Sequence, residues 1–276
     1  MIMKKLLLAT AFACLAIVLK AQTADDYRQS YERLVARVGY GGVGVETLLD
    51  KWEKADSTGI EVPLARARCH FARSRTDSVK VHNGRKYLDM DPVLVLKDTL
   101  NRPVYYFNEP FFDETEYGLG LKVVDNVIAA NPLRLDLCVF KANALLEYEK
   151  ESPDLTLQFL LELINRNFKS SPSWEYPGET VDKAFFCDIV QSYCFSFYRI
   201  GSASSKEAFR VLSETMLKYD KNNSAFLDNV GTYHLVVRKN EKQALKYYRK
   251  SLKADPGDET ARKNIALIEK RAAAGK

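Results

Sequence analysis

Histidine is scarce: three in 276 residues, His70, His82 and His234. With so few, no Ser/His/acid or Cys/His catalytic set can be assembled from spacing. A structural zinc site wants four closely spaced ligands, and Cys69-His70 with His82 leaves that set incomplete. A surplus of one charge is also missing. The 41 basic residues exceed the 36 acidic ones by five, and Lys4, Lys5 and Lys20 of that surplus lie in the first 21 residues. The remainder is nearly balanced, which excludes a broad basic field for nucleic acid. Beyond Leu6–Leu19 there is no long apolar run, so no stable membrane span is expected. "GYGGVG" at 39–44 has neither dinucleotide-loop nor P-loop spacing, and no Lys-Ser/Thr pair follows it. It reads as a helix connector. No catalytic residue, cofactor or metal is expected.

What is present is a globular composition, 46% hydrophobic and 28% charged, which sets disorder aside. Residues 1–21 read as a signal peptide, with a short basic start, an apolar stretch and a small residue at Ala21. An exported chain, periplasmic or secreted, is the expectation. Cys14 after "AFA" raises lipid anchoring, but the apolar run continues past it, and a lipidated mature end is normally polar. Four cysteines follow: Cys69, Cys138, Cys187 and Cys194. Cys187 and Cys194 sit seven apart on one helical stretch, about 10.5 Å along its axis, beyond the reach of a disulfide. Buried thiols on apolar helix faces are expected, with pairings between distant positions left open.

Apolar residues recur at helical spacing along most of the chain. Tyr27, Tyr31, Leu34, Val35 and Val38 mark one helix, Val45, Leu48, Leu49 and Trp52 a second, and Leu64, Ala67 and Phe71 a third. Residues 75–113 break the pattern. Val93–Lys97 and Val104–Phe107 are β-prone, and "DTLNRP" between them is rich in turn formers, which predicts a β-hairpin insertion over 93–107. Helices resume at "DETE", where Asp113 reads as an N-cap. "SPD" predicts another start with Ser152 as cap. Residues 168–182 read as a loop, and helices follow at about 183–199, 205–219, 224–239, 241–254 and 258–272.

The ends of these helices repeat. "LKYDKNN" at Leu217 and "LKADPGD" at Leu252 lie 35 residues apart; "IAANPLR" at Ile128 and "LINRNFK" at Leu163 are also 35 apart. The interval from Leu163 to Leu217 is 54, longer by 19, and the excess falls on the loop at 168–182. Two helices per period of about 34 residues is the spacing of a helical-hairpin repeat.

The last unit resembles the tetratricopeptide repeat (TPR) family. Leu227, Val230 and Gly231 stand at the family's Trp, Leu and Gly, Ala244 and Tyr248 at its small and aromatic positions, and Pro256 at its closing proline. Ser251 replaces a usual alanine, His234 a usual tyrosine, and the turn between the helices is one residue longer. The resemblance implies an all-α, TPR-like solenoid of helix pairs over 22–276, a single domain carrying the hairpin insertion at 75–113 and closed by a capping helix at 258–276. It also implies a non-enzymatic interaction protein that binds a protein or peptide partner through a concave groove and the inserted loops.

Candidate groove residues are Asp228, Thr232 and Leu235, with Ala225; Asp228 has the wrong charge to clamp a carboxylate. The alternative is a glycan- or small-ligand-binding protein that uses aromatic loop residues, Trp174 and Tyr176 in one loop and Tyr105 and Tyr106 in the hairpin. The competing role of such rings is to anchor long loops against the helices. Glu109, Asp113, Glu114 and Glu116 supply carboxylates, but Asp113 and Glu116 already have a use in starting a helix.

Overall fold

The structure, a computed structural model, describes residues 23–274. The proposed signal peptide and Cys14 lie outside the described residues. The chain divides into two compact units at Arg73/Ser74, a division the helical periodicity does not mark.

In the first unit, α1 (Ala24–Val38), α2 (Val45–Ala55) and α3 (Glu61–Ser74) form one small core. Thr23 and Asp26 cap α1 reciprocally, each side chain accepting from the other's backbone N–H. The 39–44 stretch is indeed the α1–α2 connector, and Gly39 (φ 77°) and Gly44 (φ 87°) take left-handed backbone angles there. Tyr31, Val45, Leu49, Trp52, Val62, Ala65 and Cys69 fill the interior, with the Tyr31 and Trp52 rings 5.7 Å apart.

The second unit begins with a sheet: β1 (Arg75–His82), β2 (Leu94–Lys97) and β3 (Pro103–Phe112). β3 is central, antiparallel to both neighbours. The expected hairpin is β2–β3, with Leu94 opposite Tyr106 and Lys97 opposite Pro103. The described residues are 67% helical, so the helical class holds, but the insertion is a three-stranded sheet and not a hairpin alone. β1 was missed because "RTDSVKVH" alternates small polar and apolar residues too weakly to stand out without its partner strand.

Eight helices follow: α4 (Glu114–Ala130), α5 (Leu135–Glu149), α6 (Asp154–Ser170), α7 (Lys183–Ile200), α8 (Ala203–Tyr219), α9 (Ser224–Thr232), α10 (Glu241–Ala254) and α11 (Glu259–Ala274). Side chains start most of them. Asp113, Asp182, Ser202, Asn223, Asn240 and Asp258 each accept a hydrogen bond from the backbone N–H three residues on. α6 departs from expectation. Ser152 does not cap it; the Glu149 carboxylate folds over the turn and accepts from the N–H groups of Leu155 and Thr156. Successive helices pack on one another, except that α6 reaches across to α8 where the 171–182 loop intervenes.

A continuous core runs through α5 to α9, built on Leu135, Leu160, Ile164, Phe186, Val190, Phe197, Leu212, Met216 and Phe226. A second core joins α10 and α11 through Leu235, Ala244, Tyr248, Ala261 and Ile268. All four cysteines are buried thiols. Burial pushes the Cys194 thiol up to about 12, which leaves it inert.

The extra residue between the last two repeat helices has a structural outcome. α9 ends in a π turn, Tyr233–Val237, in which the Arg238 N–H reaches back to the Tyr233 carbonyl at 3.2 Å. A π turn takes up one residue without breaking the helix.

Candidate functional site

The residues expected to bind a partner do not converge. Asp228 and Leu235 do not face an open groove. α9 is flanked by α8 on one side and α10 on the other, so Leu235 enters the α10–α11 core and Asp228 is buried. Thr232 is hydrogen-bonded to Tyr248 through the two hydroxyls at 3.0 Å. Burial first, and the Asp258 carboxylate second, push the Asp228 carboxyl up to about 7, and its Oδ1 has no hydrogen-bond partner among the described residues.

Trp174 and Tyr176 do share a place, a shallow depression of about 550 Å³ also lined by Arg134, Pro172 and Glu179. Both rings are half-buried against the main core. The Trp174 Nε1–H donates to Asn167 Oδ1 at 2.9 Å, and the Arg166 guanidinium covers one ring face at 4.7 Å. Tyr176 stands edge-on to Phe185 at 5.2 Å. The loop is pinned by a short parallel bridge, with the Glu175 N–H to the Leu133 carbonyl (2.8 Å) and the Leu135 N–H to the Glu175 carbonyl (2.9 Å). These aromatics anchor the loop, and a Trp174 face already covered by guanidinium is a poor platform for a sugar ring.

Tyr105 and Tyr106 point to opposite faces of the sheet, as strand alternation requires. Tyr105 lies on the side of Phe107, which is buried beneath Tyr87 and His82. On that side Lys80 donates to Tyr87, whose hydroxyl lies 3.1 Å from Glu109 and 2.9 Å from Glu151. The Glu109 carboxylate is thereby held in a structural polar cluster. Tyr106 lies on the other side, beside Val81 of β1 and Leu94 of β2. That face is open: Val79, Val81, Leu94 and Leu96 are 66%, 55%, 49% and 47% exposed. Their side chains share one face with Val104 and Tyr106. Contiguous apolar exposure of this kind marks an interaction surface.

A cleft of about 680 Å³ opens beside this sheet and was not foreseen. The sheet contributes Arg75, Asn108 and Pro110, the β1–β2 connection Leu88–Asp91 and Val93, α5 Asn143, Leu146 and Glu147, and α7 Ser196, Arg199 and Ile200. Lys150, at the end of α5, completes the rim. Two ion pairs hold its walls, Arg75–Glu147 at 2.9 Å and Arg199–Asp89 at 2.6 Å. Leu88, Asp89 and Lys150 take positive φ angles of 48°, 67° and 52°, uncommon for side-chain-bearing residues and gathered here at one cleft. No sequence motif signals the cleft, because its residues come from four elements far apart in the chain. The single local cue is the charged "YLDMDP" just before the β-prone run at 93–97.

Scans against protein-family models, curated proteins and solved structures gave no match.

Proposed function

We propose that this chain is an exported, non-enzymatic interaction protein, a TPR-like stack of helix pairs that binds a protein or peptide partner. The 35-residue spacing of helix ends and the fit of Leu227, Gly231, Ala244 and Tyr248 to the repeat support the solenoid reading. Gly231 behaves as a repeat glycine should: a Cβ there would lie 2.8 Å from the Tyr248 ring, so only glycine lets α9 and α10 approach this closely.

The contacts are assigned to the inserted sheet in place of the helix groove. One observation carries this: Val79, Val81, Leu94 and Leu96 are exposed together on one face of the sheet. A photo-crosslinker at Val81 should capture one partner reproducibly from the exported fraction. Leu94→Glu with Leu96→Glu should abolish capture, and Trp174→Ala should leave it intact. No captured protein, together with glycan-array binding that Trp174→Ala abolishes, would replace this reading with carbohydrate recognition.

A further inference from the structure

The cleft beside the sheet contains an unfinished strand edge. Hydrogen bonding alternates along β3. The Asp113 N–H reaches the Ser74 carbonyl on the β1 side, and the Tyr106 carbonyl accepts from Val93 on the β2 side. Odd-numbered residues of β3 therefore address β1, and even-numbered ones address the β2 side. β2 begins only at Leu94, opposite Tyr106. Beyond it, the N–H and carbonyl of Asn108 and the carbonyl of Pro110 point away from β1, with no strand across from them among the described residues. Both residues line the cleft. Pro110 fits an outer edge, since its missing N–H costs no ladder bond there.

The charges around this edge are unequal once paired. Arg75 is matched by Asp77 and Glu147, Arg199 by Asp89, and Asp91 lies 3.6 Å from Lys86. Lys150 rests 4.3 Å over the Phe111 ring and, unlike Arg199 over Phe195, is in no ion pair with a carboxylate among the described residues. Apolar side chains of Leu88, Met90, Val93, Leu146 and Ile200 also line it, with Asn143 and Ser196 as uncharged polar groups.

We infer that the cleft takes an extended peptide, which adds as a short strand to β3 at Asn108–Pro110 and sets an acidic side chain against Lys150. Backbone pairing supplies affinity in such strand addition, and side-chain pockets supply selection. This rests on the peptide-binding reading above, and assigns its ligand class and docking mode.

The test uses the full chain and fluorescein-labelled peptides of about six residues, alternating Val and Thr around a central Glu, a length typical of a strand. The Glu peptide should bind saturably, and its Gln counterpart about tenfold more weakly. Backbone N-methylation along one peptide edge should abolish binding, and along the other edge should be tolerated. Lys150→Ala should bring the Glu peptide to the level of the Gln peptide and leave the Gln peptide unchanged. Asn108→Pro, which removes the outward N–H, should weaken both peptides, and Asn108→Ala, which keeps that N–H and loses only the side chain with its hydrogen bond to Asp77, should not. Equal binding of the two N-methylated peptides, or of Glu and Gln peptides, overturns the inference, as does absence of binding. If Leu94→Glu with Leu96→Glu still removes the captured partner, strand addition has failed alone and the partner-binding reading stands.

Discussion

The α9–α10 pair and the inserted sheet lie in the same compact unit and dispose of their apolar residues in opposite ways. In the helix pair, Phe226, Val230, Ala244 and Tyr248 are completely buried, and even Asp228 and Asn229 are drawn inside. In the sheet, Phe107 is the buried apolar residue of β3, and the valines and leucines on the far face meet solvent. A repeat element is used up by its neighbours, because each helix pair needs the next to cover it. Among the described residues the insertion has such a neighbour on its far face only at the Phe112 end, where Tyr117 and Tyr148 pack, and Val79, Val81, Leu94 and Leu96 stay exposed. Where the chain most resembles a repeat it has least surface left for recognition, and where it departs from the repeat it has most.

Breaking the buried side of this contrast should have the largest effect. Tyr248→Ala empties a fully buried site against Gly231 and removes the partner of the Thr232 hydroxyl. A loss of about 3–5 kcal/mol is expected, read by urea unfolding followed by circular dichroism. Next comes Asp228. Its carboxyl is pushed up to about 7 by burial and Asp258, against an ordinary 3.8. Between those values the folded chain keeps a proton that the unfolded chain has released, so stability falls as pH rises and levels off above about 7. Asp228→Asn should flatten that slope. Relative to the parent it should gain about 2–4 kcal/mol between pH 4 and pH 8, measured by denaturation across that range. A parallel shift at all pH values would show that the carboxyl is not the titrating group.

Gly231→Ala is smaller, and its sign is the informative part. Alanine favours a helix by about 1 kcal/mol over glycine. Here its Cβ would meet the Tyr248 ring at 2.8 Å, and that ring is enclosed and tied to Thr232. Overpacking should prevail, with a net loss of about 1–2 kcal/mol. A gain in melting temperature would mean that α9 and α10 are farther apart than described.

The same contrast decides what could be read before the structure. Helix spans from α4 to α11 follow from apolar spacing and caps, because both are local signals; Asp182, Ser202 and Asn240 sit where helices begin. The Glu149 cap on α6 comes from the preceding helix, and no local pattern announces it. β1 became visible only through its register with β3, about 30 residues on. Asp228 and Leu235 were placed on a groove because a single helix cannot say which of its faces a later helix will cover; α10 settles that. The cleft was illegible for the same reason, since Arg75, Asn108, Lys150 and Arg199 meet only after β3, α5 and α7 have packed.

The smallest effect on stability is expected where the largest effect on recognition lies. Val81→Ser removes apolar surface already more than half exposed, so little burial is lost on folding. Serine lowers strand propensity on an edge strand whose ladder to β3 uses backbone groups only. Unfolding should move by no more than about 0.5 kcal/mol, as for surface sites away from buried features. Capture of the partner by the crosslinked sheet face should nevertheless weaken, because Val81 adjoins Val79 along β1 and Tyr106 across the ladder on that face. Tyr248→Ala offers the converse, a large loss of stability with the sheet's own contacts intact. Val81→Ser costing as much stability as a core substitution would mean that the face is packed against something in the folded chain, and the comparison between helix pair and sheet would collapse.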